Sequence, residues 1–246
     1  MKLIYDNAHR PYPIPSDYWI MRQAWRNLLF IHWPISLEKV RQFVHPSLHI
    51  DTFDGDAWLG IIIFEMEGIY PRGFPSISII PPFAEINVRT YVHYNGKPGI
   101  YFMSLDVGDL ASLTIAKRWL HLPYKHSHIS IQKIGKAFYY DSIRVKQTNP
   151  QIICKGSYSP VKDIFFPIEG TLDHWLTERY CFFSSNKRDN LYCCEIHHDP
   201  WPLQQAEAII KKNTLFTPFQ IDISDIQPIF HFSKGVDSLI WNIKKA

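Results

Sequence analysis

The spacing of apolar and polar residues along this chain has mostly a period of two. The most regular stretch is Phe83–Val92, where Ala84, Ile86, Val88, Thr90 and Val92 fall on one face and Phe83, Glu85, Asn87, Arg89 and Tyr91 on the other. That alternation marks a strand with one apolar and one polar side. Asn95-Gly96 supplies the backbone of a tight hairpin turn, so Gly99–Asp106 is expected to return as the partner strand. Further strands are predicted at Arg26–Trp33, ended by Pro34, at Ala57–Glu67 after an Asp54-Gly55 turn, and at Ser127–Ile134, Phe138–Val145 and Ile152–Ser157. Later, Glu178–Phe183 and Leu191–His197 flank a turn through Asn186–Asp189, and Ile226–Ile243 is strand-like and aromatic. Leu203–Lys212 fits helix or strand equally.

Helix signals are fewer. Ser36 can cap Leu37–Val44 ahead of Pro46, Asp109 can cap a run to about Leu120 before Pro123, and a short helix is expected near Thr171–Leu176. Residues 1–20, with Pro11, Pro13 and Pro15, read as an extended arm. Pro71–Pro82 holds four prolines and reads as a loop able to cover a site. Strands dominate. The pattern predicts one α+β domain over residues 1–246, built on a curved antiparallel sheet or barrel with a few short helices.

Composition narrows the partners. A chain of 246 residues is long enough for a sizeable core. Its 26 Lys+Arg against 23 Asp+Glu give a net charge of only +3 without a basic run, so no nucleic acid is expected. Aromatic content of 15% suits a strand-rich fold. The longest apolar runs, such as Leu59–Phe64, fall short of a membrane span, and the N-terminal stretch has no signal-peptide core. A cytoplasmic protein without a membrane partner is the expectation. Cys154, Cys181, Cys193 and Cys194 make neither a zinc pattern nor a disulfide framework and read as reduced thiols.

The polar face of Glu85, Asn87, Arg89 and Tyr91 is either a wetted outer surface or the wall of an internal pocket. Phe102, Ser104 and Asp106 alternate on the partner strand and are expected to extend the same wall. His197 and His198 are adjacent and would face opposite sides of a strand, while His126 and His128 share a face but lack a third ligand. No metal is expected. Walker A, GxGxxG and GxSxG motifs are absent, and no cofactor is expected. Lys125, in the aromatic turn Leu122–His126, is either a surface lysine or a desolvated amine able to attack a carbonyl.

Phe30–Met66, Phe83–Asp106, Ala116–Ile129, Leu176–Phe183 and Cys193–Glu207 together carry a likeness that spans nearly the whole chain. The sequence resembles the YqjF-like family of uncharacterised bacterial proteins, a branch of the acetoacetate decarboxylase-like superfamily. The resemblance implies a sheet curled into a cone-like barrel around an internal pocket. Enzymes of that superfamily form a Schiff base on a lysine made reactive by a neighbouring cation. Phe83-Ala84-Glu85 matches the tail of their first motif, which places Glu85 near the reactive amine. Arg118 and Pro123 match the arginine and proline of the second motif, and His32 stands where the decarboxylases carry a substrate-binding arginine. Tyr124 then occupies the position of the nucleophilic lysine and Lys125 that of its activating neighbour.

That departure sets the expectation for function. Tyrosine cannot form a Schiff base, and strand alternation turns Lys125 to the opposite side from Tyr124. Classical acetoacetate decarboxylase activity is therefore not expected. The leading reading is a small-molecule pocket for a carbonyl or carboxylate metabolite, with Glu85, Tyr124 and Lys125 as catalytic candidates. His32, Asn87, Arg89, Ser104, Asp106 and Arg118 are the ligand-binding candidates. Two alternatives stand beside it: a lyase acting on a keto acid through Tyr124, Glu85 and Lys125, and an interaction protein whose pocket is filled by its own rings. A homo-oligomer is left open.

Overall fold

A computed structural model describes residues 4, 6–74, 80–108 and 119–246, and its strands join in one 13-stranded sheet. In chain order they are β1 (Met21–Ile35), β2 (His49–Ile50), β3 (Ala57–Pro71), β4 (Phe83–Tyr94), β5 (Lys97–Val107), β6 (Tyr124–Ile134) and β7 (Ala137–Arg144). There follow β8 (Ile153–Pro160), β9 (Cys181–Ser185), β10 (Leu191–His198), β11 (Leu203–Asn213), β12 (Ile229–Ile240) and β13 (Lys244–Lys245). Helices α1 (Leu37–Arg41) and α2 (Leu172–Thr177) are short, and no helix among the described residues is long and apolar enough to cross a membrane. All four cysteines are free thiols.

The sheet closes on itself twice. The pairing path β4–β5–β6–β7–β8–β11–β12–β1–β3 and back to β4 makes a closed 9-strand barrel. A smaller ring uses β12, β1, β3, β4 and β5 again and is completed by β9 and β10, through the β5–β9, β9–β10 and β10–β12 pairings. Successive side chains on a strand point to opposite faces, so each shared strand sends alternate residues into two different lumens. On β4, Ile86, Val88 and Val92 enter the larger lumen, while Glu85, Asn87 and Arg89 enter the smaller. The larger lumen holds the main apolar core. Phe138 stacks on Tyr158 and on Phe232 at centroid distances of 5.0 and 5.7 Å, above a floor that includes Ile31, Ile61 and Val88.

The β-dominated architecture expected from the alternation is the one observed, with several ends moved. Leu203–Lys212 resolves as strand: Ala206, Ala208 and Ile210 pack on the core while Glu207, Ile209 and Lys211 are exposed. β1 runs through Pro34, because its pairing to β12 ends at His32 and the missing N–H lies beyond that ladder. The helix expected over Leu37–Val44 stops at Arg41, whose guanidinium donates to the carbonyls of Val44, His45 and Leu48 at 2.7, 2.7 and 2.6 Å and turns the chain. Most of the helix expected from Asp109, and residues 75–79 of the proline loop, lie outside the described residues.

Candidate functional site in the smaller lumen

The smaller ring encloses a cavity of about 90 Å³, walled by residues from all seven of its strands, from Trp25 on β1 round to Ile240 on β12. Leu120, Leu122 and Tyr124 add an apolar and aromatic side. A bulge in β1 and a glycine in β3 help decide which residues face it. In β1 the register slips between Arg26 and Leu29 at Asn27, which has a φ of 53°. The inward set therefore changes from Met21, Gln23 and Trp25 to Leu28 and Phe30. Gly60 on β3 leaves the space that Arg89 uses: a Cβ there would lie 3.0 Å from Arg89 Cγ and 3.1 Å from His32 Cδ2.

The polar residues of β4 form a ladder along the wall. Arg89 Nε donates to Asn87 Oδ1 at 2.9 Å, and Asn87 Nδ2 donates to Glu85 Oε1 at 3.4 Å. Glu85 is 3% exposed and receives no closer hydrogen bond among the described residues. Burial raises its carboxyl to about 7, helped by Asp106 across the sheet and opposed by Asn87 and Arg89. Burial also raises the Tyr124 phenol well above its ordinary value, with Glu85 and Cys194 adding to the rise. Burial lowers Arg89. Glu85 can thus exchange a proton near neutral pH in a largely apolar enclosure.

Glu85, Asn87, Arg89 and Tyr124 meet at this cavity; the other expected residues do not. Ser104 and Asp106 turn away. Val88 pairs with Ser104 but Arg89 pairs with Phe102, so Met103 is an extra residue and the alternation restarts after it. Phe102 stays on the cavity wall, while Asp106 enters the larger lumen and is fully engaged there. Arg144 Nε and Nη2 donate to its two oxygens at 2.6 and 2.8 Å, and Ser127 Oγ donates at 2.6 Å. Ser104 Oγ accepts from the same Arg144 at 2.9 Å. Lys125 is exposed to solvent, one position past Tyr124 on the opposite face of β6. His32 lies on the same face of the sheet as Arg89 but past the end of the cavity, buried and bonded through Nε2 to the Tyr91 hydroxyl at 2.7 Å. Arg118 lies outside the described residues.

Among the wall residues not expected as ligand contacts are Gln23, Thr177, Arg179, His198 and Trp201. Thr177 and Arg179 sit where α2 ends and the chain enters β9, Thr177 between the expected helix and strand and Arg179 within the expected strand Glu178–Phe183. His198 and His197 do face opposite sides of β10: His198 walls the cavity, and His197 stacks on His9 at 5.5 Å. No group of three or more His, Cys, Asp or Glu among the described residues is arranged to hold a metal ion.

A strand-dominated, doubly closed sheet around a small internal cavity defines an acetoacetate decarboxylase-like fold. Solved structures agree at the level of architecture. An acetoacetate decarboxylase from Legionella pneumophila superimposes with a TM-score of 0.63 at 12% identity, covering 97% of this chain and 93% of the other. An acetoacetate decarboxylase-like enzyme from Sphingomonas wittichii RW1 gives 0.64 at 10% identity, covering 98% of each. The enduracididine biosynthesis enzyme MppR complexed with pyruvate gives 0.63 at 9%, covering 97% and 93%. The chain itself belongs to the DUF2071 family, described as an uncharacterized conserved protein, whose model matches residues 22–237. It is 38% identical over 232 residues to the uncharacterized protein YqjF of Bacillus subtilis (strain 168), covering 94% of this chain and 95% of that one.

Proposed function

We propose that the smaller lumen binds a small metabolite bearing a carbonyl or carboxylate, with Glu85 and Tyr124 as the polar pair at one end of its site. The observation that carries this reading is Glu85 itself, buried on the cavity wall with a single hydrogen bond, of 3.4 Å, among the described residues. A buried carboxyl so poorly satisfied costs stability unless another group completes its bonding. A ligand hydroxyl, carbonyl or water held beside it would do so. Catalysis by Schiff base is not part of this reading, since no lysine is among the described wall residues and Lys125 faces solvent. The pyruvate complex of the structurally similar MppR fits the same ligand class. We place the protein in the cytoplasm, where its free thiols would stay reduced.

The test is direct binding to a panel of simple ketones, 2-oxo acids and 3-oxo acids, followed by ligand-observed NMR on the wild type and Glu85→Leu. Binding by the wild type that is lost in the variant supports the reading, and no binding by any member overturns it. Borohydride added to the 3-oxo acid mixtures should leave no mass adduct on any lysine. An adduct lost in Lys125→Ala would restore amine chemistry.

A further inference from the structure

Two residues that line the cavity, Arg179 and Trp201, carry buried donors with no acceptor among the described residues. Arg179 is 5% exposed and has committed two of its three nitrogens. Nε donates to the Trp175 carbonyl at 2.7 Å and Nη1 to Asp51 Oδ2 at 2.6 Å. Nη2 is buried and has no acceptor among the described residues. Arg179 Cζ lies 4.4 Å from the Trp175 ring centroid and 5.1 Å from that of Tyr91, so the guanidinium is held between two rings rather than free to search for a partner. Trp201, 4% exposed and lining the same cavity, also has its Nε1 buried with no acceptor among the described residues. Arg89, two residues before Tyr91 on β4, spends Nε on Asn87 and makes no ion pair among the described residues.

Buried donors of this strength are normally paired. A carboxylate is the acceptor they suit: it is planar, offers two oxygens to a guanidinium fork and takes further donors on its remaining lone pairs. Charge limits it to one. Asp51 already neutralises Arg179, so Arg179, Asp51 and Arg89 together sum to one positive charge, on which Glu85 acts from farther along β4. Apolar side chains, among them Leu28, Phe64, Ile100, Phe182 and Ile240, wall the rest of the cavity. Glu85 is separated from the Arg89 guanidinium by the whole Asn87 side chain, so the donor cluster and the Glu85–Tyr124 pair serve different parts of a ligand.

We propose that Arg179, with Arg89 and Trp201, anchors the carboxylate of a monoacid whose short aliphatic body fills the apolar part of the lumen, and that recognition needs no keto group. The proposal rests on reading the lumen as a ligand site and adds its anchor. Titration calorimetry of the wild type with 3-methylbutanoate and with its neutral isostere 3-methylbutanamide tests it without altering the protein. The acid should bind at least tenfold more tightly than the amide, and a 2-oxo group on the acid should add no more than about twofold, well under the tenfold worth 1.4 kcal/mol.

Arg179→Lys, which keeps the charge beside Asp51 but loses the fork, should weaken the acid tenfold or more and leave the amide unchanged. Trp201→Phe should do so to a smaller extent, and it serves as the variant if Arg179→Lys fails to fold. Equal affinity for acid and amide overturns the anchor while leaving the lumen a ligand site. Binding of the keto acid alone overturns the claim that the carboxylate suffices. Failure of acid, amide and the whole carbonyl panel overturns both readings.

Discussion

The two lumens share a wall of five strands, yet they treat a buried carboxylate in opposite ways. Asp106 faces the larger lumen and accepts three hydrogen bonds of 2.6–2.8 Å from Arg144 and Ser127. Glu85 faces the smaller one and accepts one of 3.4 Å among the described residues. Asp106 is closed off by Arg144, Ser127 and Ser104, whereas beside Glu85 a cavity of about 90 Å³ remains. A saturated ion pair in a packed interior holds strands in register. An under-bonded carboxyl beside a void is instead available to a ligand. The first prediction tests the saturated side. Asp106→Asn leaves the Arg144 charge buried without its partner and should destabilise the fold by about 3–5 kcal/mol in urea titrations. A loss below about 1 kcal/mol would mean the pair contributes little and the contrast is only apparent.

Glu85→Gln should act with the opposite sign. The carboxyl keeps its proton up to about 7 in the folded chain, against 4.5 when unfolded. Between those values the folded state binds more protons than the unfolded one, so its contribution is fully present below about 4.5 and is lost as pH rises to about 7. The slope is about 1.4 kcal/mol per pH unit, and the accumulated cost at pH 8 is on the order of 3 kcal/mol. The charges facing Glu85 are Arg89 on its own strand and Asp106 across the sheet, with the Tyr124 phenol beside it. Removing the titrating group should flatten the profile between pH 5 and 7 and stabilise the protein at pH 8. Identical pH profiles for the variant and wild type would show that Glu85 is solvated.

A smaller effect is expected at the seam between site and core. Gly60→Ala places a methyl group against Arg89 and His32 at contacts of 3.0–3.1 Å. The expected loss is about 1–2 kcal/mol, with weaker 3-methylbutanoate binding as Arg89 is displaced. A destabilised variant with unchanged affinity would detach Arg89 from the anchor and leave Arg179 to act without it.

What was legible in the sequence follows the same division. Alternation in Phe83–Val92 identified both faces of β4, and with them Glu85, Asn87 and Arg89, because a regular strand projects its side chains by parity alone. Parity failed one strand away. The extra residue at Met103 leaves no mark in composition, so Ser104 and Asp106 were assigned to the wall that Phe102 occupies, when they belong to the other lumen. Leu203–Lys212 stayed ambiguous because its alternating residues are alanines, whose burial depends on the neighbouring strands. Arg179 was invisible for a different reason. Its role comes from Asp51, Tyr91 and Trp175, which approach it only when the smaller ring closes.

The weakest expected effect concerns the residue nearest to the chemistry of related enzymes. Tyr124 and Lys125 are neighbours in sequence, but β6 directs the first into the smaller lumen and the second to solvent. Lys125 is exposed, and truncating an exposed lysine, surface ion pair included, changes stability by no more than about 1 kcal/mol. Lys125→Ala should therefore melt with the wild type and bind 3-methylbutanoate with unchanged affinity. Tyr124→Phe, which removes only a hydroxyl from the wall, should alter binding of carbonyl compounds more than it alters the melting temperature. If instead Lys125→Ala lost affinity while Tyr124→Phe did not, the ammonium group would have to reach the lumen. The division of labour between the two faces of β6 would then be reversed.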